Sequence, residues 1–166
     1  FELWSKAELE AKGIYEVEYD NTNQKDETWY INTDLSFAFA GGKITASYGS
    51  ATARPHADVL FTAQDESDGK GTEGEVAVEG LKTIKIREIK KQAAGELAKT
   101  DWYVVRKADA GTAVPSAITT HRAAVRTKAA EQETAITNAA DTAAIETLYT
   151  YVDGSRPLGE LPTLES

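Results

Sequence analysis

The sequence predicts an α+β protein. A small antiparallel β-rich head at residues 1–63 precedes a helical region, a helix hairpin or bundle, at 81–152. Three observations predict it. Between Ile14 and Tyr48 apolar residues recur with the two-residue period of strands, interrupted by Gly41-Gly42, a pair suited to a tight hairpin. From Leu81 onward the period becomes three and four, as on helices. Between the two lies QDESDGKGTEGEVAVEG, residues 64–80, so rich in glycine and acid that it reads as a linker or long loop.

The first element is a short helix over residues 5–13. Ser5 with Glu8 three residues on is a capping-box pattern, and Gly13 stands where a C′ glycine would. Leu3, Trp4 and Leu9 form its apolar side, and Trp4 is also a candidate interface anchor. IYEVEY (14–19) alternates, and its Tyr15, Val17 and Tyr19 side is the one expected to be buried. Strands follow at 28–32, 35–40 and 43–49, with Phe37 and Phe39 sharing a face, as do Ile44, Ala46 and Tyr48. Residues 57–63 read as one more strand of the head.

The helical region opens with a helix over 81–99, its apolar stripe being Ile86, Ile89, Ala93 and Leu97. Lys82, Lys85, Arg87, Lys90 and Lys91 lie mostly opposite and read as a solvated face. TDWYVVRKADA then adds a turn or two of helix with Thr100 or Asp101 as cap, and Gly111 ends it. Pro115 suits a first helical turn, and the longest helix runs over 115–140. Its stripe, Ile118, Arg122, Val125, Ala129, Gln132 and Ile136, is thin and alanine-rich, which suits close packing against another helix or a copy of itself. Asp141 caps a last helix that Asp153-Gly154 terminates. Residues 153–166, with two prolines, read as an irregular tail that lies on a neighbouring surface or frays.

Composition removes several functions. The 166 residues carry 18 basic and 27 acidic side chains, a formal charge of −9, which argues against nucleic acid as a partner. Cysteine is absent, so thiolate nucleophiles and zinc–thiolate sites are excluded, and two distant histidines make poor metal ligands. There is no run of about 18 apolar residues and so no membrane helix. No charged-then-apolar leader opens the sequence. The chain starts at Phe1 and has no Met, so an initiator was removed or lies outside the numbering.

No catalytic constellation stands out, and the expectation is a non-enzymatic protein without cofactor or metal. DNTNQKDETWYI (20–31) has alternating oxygen side chains, but Lys25 and Ile31 occupy the positions where a calcium loop needs glycine and glutamate. Gly69-Lys70-Gly71-Thr72 lacks the full phosphate-loop pattern. His121 reads as a packed or surface histidine without a partner acid. Trp102-Tyr103 is the most distinctive local feature, and a core anchor is favoured over an interface anchor. On that reading Trp102→Ala unfolds or dissociates the helical unit.

The stretch LAKTDWYVVRKADAGTAVPSAITTHRAAVRT resembles the C-terminal unit of many tailed-bacteriophage tail proteins, a unit known from tail-assembly-chaperone-like proteins. In that unit a helix ends in a small-polar-Asp-Trp motif, and a later helix carries an arginine-containing pattern. Thr100-Asp101-Trp102 supplies the first motif, and His121-Arg122-Ala123-Ala124-Val125-Arg126 stands in place of the second. LWSKAELEAKGIYEVEYD is similar to the opening of other phage tail proteins. The resemblance implies a virion tail protein, made in the bacterial host cytoplasm. It would bind other tail proteins and assemble with itself, as a trimer or hexamer. It makes Trp4, Trp102, Tyr103, Arg122, Val125 and Arg126 the expected core and interface anchors. Two alternatives stay open: an assembly chaperone not retained in the virion, and a carbohydrate-binding module using Trp29, Tyr30, Phe37 and Tyr48.

Overall fold

The structure is a computed structural model that describes residues 4–164, so Leu3 lies outside the described residues. The fold is α+β, with most strands early in the chain and most helices late. The chain divides into two compact units, Phe1–Arg54 and Pro55–Ser166. The division falls earlier than the expected end of the head at residue 63.

In the first unit, helix α1 (Lys6–Ala11) starts with the capping box read from the sequence. The Glu8 amide donates to Ser5 Oγ, and the Ser5 amide donates to the Glu8 carboxylate at 2.8 Å. Strands β1 (Val17–Asp20), β3 (Leu35–Ala40) and β4 (Lys43–Tyr48) make a three-stranded sheet in the order β1-β4-β3. The β3–β4 hairpin closes around Gly41 and Gly42, whose φ values of 58° and 77° are left-handed, as the tight turn demands. A two-stranded ladder, β2 (Tyr30–Ile31) with β5 (Thr52–Ala53), lies beside Trp29, which is buried.

Two expectations for this unit are corrected. The sheet is not wholly antiparallel, because β1 runs parallel to β4, pairing Val17 with Ile44. Alternation fixes a strand's faces but not its direction, and the long polar segment after Asp20 gives the chain room for the crossover that a parallel neighbour needs. The aromatic side of residues 14–19 is not buried either. Tyr19 is 65% exposed, while Tyr15 and Val17 are half-buried.

The second unit begins with residues that serve a helix far along the chain. The carbonyls of Pro55 and His56 accept the amides of Leu81 and Lys82, and the Asp58 carboxylate accepts the Gly80 amide at 2.7 Å. These amides open helix α3 (Leu81–Ala98) and have no partner within it. Gly80 is required there, since a Cβ would stand 2.2 Å from the Ala57 carbonyl carbon. The expected strand at 57–63 shrinks to β6 (Val59–Leu60), and it belongs to this unit.

The segment 64–80 is ordered structure. It carries helix α2 (Ala63–Ser67) and strand β7 (Val76–Val78), which pairs antiparallel with β6. Its order comes from polar closure more than from apolar burial. Thr62 and Asp65 form a second capping box, Lys70 reaches Asp65 and Asp68, and the Phe61 ring lies against Gly71 where any side chain would collide. Composition alone cannot register such local hydrogen bonds, which is why the segment reads as a linker.

Helices α4 (Asp101–Ala110), α5 (Ser116–Asn138) and α6 (Thr142–Tyr149) complete the unit. Pro115 sits at the N-cap of α5, one place before the expected first turn. The predicted stripes meet. Ile89 and Ala93 of α3 pack with Val125, Ala129 and Ile136 of α5, with Ile86 and Leu97 at the margin. Small residues at Ala93 and Ala129 permit close approach of the two helices. The pair is antiparallel, because Arg122 early in α5 reaches Leu97 late in α3, while Lys82 early in α3 reaches Thr137 late in α5. Asp141 caps α6 by accepting the Ala144 amide. Of the two expectations for the irregular tail, the first holds, as it packs on the helices and does not fray. Asp153-Gly154 turns the chain back, Leu158 is buried at 2% exposure in the helical core, and Gln132 Nε2 donates to the Gly159 carbonyl at 2.9 Å. Its leucines were available to a core that the helices leave open.

Candidate interaction site

Arg122 organises the junction between α3 and α4. It lies within the α5 stripe and is buried, at 8% exposure. Its Nη1 donates to the Leu97 carbonyl at 2.7 Å and to Thr100 Oγ1 at 2.7 Å, and it pairs with Asp101 Oδ1 at 2.8 Å. The Thr100 hydroxyl in turn donates to the Leu97 carbonyl at 3.0 Å, and Thr100 is 1% exposed. Leu97 lies in the last turn of α3, where the carbonyl end of the helix is electrostatically suited to a cation. Asp101 is the first residue of α4, where a carboxylate faces the positive end of that helix. One guanidinium therefore ties the end of α3 to the start of α4.

That tie holds out α4, which buries none of its residues fully. Trp102 is the main correction to the sequence reading. It is 51% exposed, so it is not a core anchor. The stripes of α3 and α5 already fill one another, and the core of this unit is completed by α6 and the tail. Trp102 stacks instead on its neighbours, with its ring centroid 3.9 Å from that of half-buried Tyr103 and 4.6 Å from the Arg106 guanidinium. Val104 and Val105 are exposed on the same helix.

Beside them a cleft of about 360 Å³ is lined by Val104, Lys107, Ala113, Val114, Thr119, Arg122 and Arg126. Three of these are cations and none is an acid, in a chain of net charge −9. Arg126, expected as an anchor, is exposed, and its Nη1 donates to the Arg122 carbonyl at 3.4 Å. Val125 is fully buried, as its place in the stripe predicts. His121 is buried beside Arg122, and its Nε2 has no hydrogen-bond partner among the described residues. Trp4 belongs to the first unit, is 43% exposed, and has Lys12 Nζ 5.3 Å from its ring centroid.

The weaker motifs are absorbed into local structure. Asp20 accepts the amide and hydroxyl of Thr22, which hold its carboxyl below the ordinary carboxylate range, and Asp26 accepts the Thr28 amide. Lys70 of the glycine-rich segment is paired with Asp65 and Asp68. Among the described residues no cluster of His, Asp and Glu has metal-binding geometry, and no helix is long and apolar enough to cross a membrane.

Sequence reasoning grouped Phe37 with Phe39 and Ile44 with Ala46 and Tyr48, but did not join them into one face of the first unit's sheet. Register partners share a face, so Phe37 and Phe39 of β3 stand with Ile44, Ala46 and Tyr48 of β4 and with Val17 and Tyr19 of β1. Phe37 is 64% and Phe39 60% exposed. A signal was available in the alternation, since the head has no long amphipathic helix to cover such a face. Of the aromatics proposed for sugar binding, Trp29 is buried and Tyr30 and Tyr48 are half-buried. No protein-family model, no curated protein and no solved structure matches this chain.

Proposed function

We propose that this chain is a non-enzymatic structural component of a bacteriophage tail, an adaptor that makes protein–protein contacts in the virion and assembles with copies of itself. The observation that carries the reading is the Arg122 tie. The two motifs on which the resemblance rests, Thr100-Asp101-Trp102 and the Arg122 segment, are bound to each other by a buried guanidinium. Their co-occurrence thus has a physical basis as one unit.

The unit's product is a presented surface. α4 offers Trp102, Val104 and Val105 outward, next to a cleft with Lys107 and Arg126 at its rim. Aromatic and arginine side chains are the usual anchors of protein interfaces. A partner with an apolar ridge flanked by carboxylates fits this surface. The chaperone alternative uses the same surface transiently, and nothing in the geometry favours it over the adaptor.

Mass spectrometry of purified infectious particles tests the reading. The polypeptide is expected at a fixed multiple of a known tail protein. Recovery only from infected-cell lysate, bound to a tail or fibre protein, would replace the adaptor with an assembly chaperone.

A further inference from the structure

We infer that the apolar face of the β1-β4-β3 sheet is covered by the same face of a second copy of this chain, as a two-fold, sheet-on-sheet contact. The inference uses only residues of the first unit and does not depend on the tail reading.

The face is defined by register. Tyr19, Ala46 and Phe37 form one row across the three strands, and Val17, Ile44 and Phe39 the next. The sheet's charged residues, Glu18, Asp20 and Lys43, fall at the alternate positions and so on the opposite face. Ala46, at the centre of the row, is 0% exposed, while Tyr19 and Phe37 on either side are 65% and 64% exposed. Large cross-strand neighbours close over a central alanine and turn their outer surfaces to solvent. The result is a flat aromatic surface, the shape that packs face to face against another sheet.

Three arguments select a second copy as the occupant. The first is electrostatic. The chain carries −9 overall, so two copies repel through most of their surface, whereas the two rows hold no charged side chain and meet themselves without penalty. The second is area. Three aromatic rings more than half exposed leave on the order of 400 Å² uncovered per copy. Doubled, and with the flanking half-exposed residues added, this approaches the roughly 1,200 Å² at which specific interfaces begin. The third is the lack of an internal second layer. Among the described residues of the first unit, Trp29 and Ala46 are the only fully buried apolar side chains, and a sheet needs a layer against its apolar face. An isologous partner is present at the right stoichiometry wherever the chain is made. A sugar fits less well, since tyrosine hydroxyls are the only hydrogen-bonding side-chain groups this face has to offer.

The test uses the full chain. Sedimentation equilibrium is expected to show a reversible dimer whose dissociation constant rises by about 100-fold in Phe37→Glu. Ala38→Lys, on the opposite face, should leave it unchanged, with circular dichroism checking that both variants fold. A second measurement exploits the absence of cysteine. Tyr19→Cys should cross-link to a disulfide dimer under mild oxidation, while Ser36→Cys, on the opposite face, should not. A wild-type chain that stays monomeric at about 100-fold above the micromolar range of ordinary complexes would overturn the inference. So would an assembly unaffected by Phe37→Glu and cross-linked equally from both faces. Loss of assembly through Trp102→Ala with Phe37→Glu silent would place self-association on the helical unit and refute the sheet contact.

Discussion

A single nitrogen, Nη1 of Arg122, meets the Leu97 carbonyl, the Thr100 hydroxyl and the Asp101 carboxylate. Removing the guanidinium leaves the Thr100 hydroxyl bonded to the Leu97 carbonyl, but takes a charged donor from both groups and from Asp101. A hydrogen bond to a charged group is worth more than a neutral one. Arg122→Ala is therefore expected to lower stability by about 2 kcal/mol in urea unfolding. Arg122→Lys should recover little, because an ammonium on a thinner stem cannot reproduce the planar donor geometry. A loss of less than about 1 kcal/mol for Arg122→Ala would mean that the tie is incidental. Trp102 obeys the opposite logic. At 51% exposure, stacked on Tyr103 and Arg106, it contributes to surface more than to core. Trp102→Ala should change stability by less than about 1 kcal/mol while weakening capture of the native partner. Cooperative unfolding of that variant at a much lower urea concentration would restore the core reading.

At the scale of elements, α6 and the tail carry the clearest titration. Tyr149, at the end of α6, is half-buried and lies between two cations. Lys85 Nζ is 5.3 Å and the Arg156 guanidinium 5.2 Å from its ring centroid. Burial, with the charge of Glu88 second, pushes its phenol up to about 12, against an opposing pull from Arg156. The raised value means that the folded chain keeps the phenol neutral where the unfolded chain, near 10.0, begins to ionise. The stabilising contribution is whole below pH 10.0 and is lost as pH climbs toward about 12. Stability should accordingly fall between pH 10.0 and about 12, and fall less in Tyr149→Phe. Parallel urea titrations of the two proteins measure this. Identical slopes would place the alkaline loss in other groups.

At the scale of the molecule, the helical core was legible and its accessories were not. The α5 stripe from Ile118 to Ile136 is buried along its whole length because helical periodicity reports directly on one-sided burial. The Ser5, Gly13, Gly41-Gly42 and Asp141 signals also hold, since each is a local backbone requirement satisfied by local residues. What failed depended on tertiary choices. The order of residues 64–80 rests on a Phe61 ring over a glycine and on a lysine between two aspartates. The burial of Leu158 depends on room left by distant helices. For the site, Arg122 and Val125 were found by period alone, but whether Trp102 faces in or out is decided by how completely other side chains fill the core. The strand β1 pairs in parallel for the same reason, as no alternation encodes direction. Its pairing also sets a timetable. The β3–β4 ribbon can zip from its glycine turn within microseconds, whereas β1 must wait for a long loop to close before Val17 finds Ile44. A nascent chain therefore displays the edge of β4 unpaired before the third strand arrives. That open edge is where association between unfinished chains would begin.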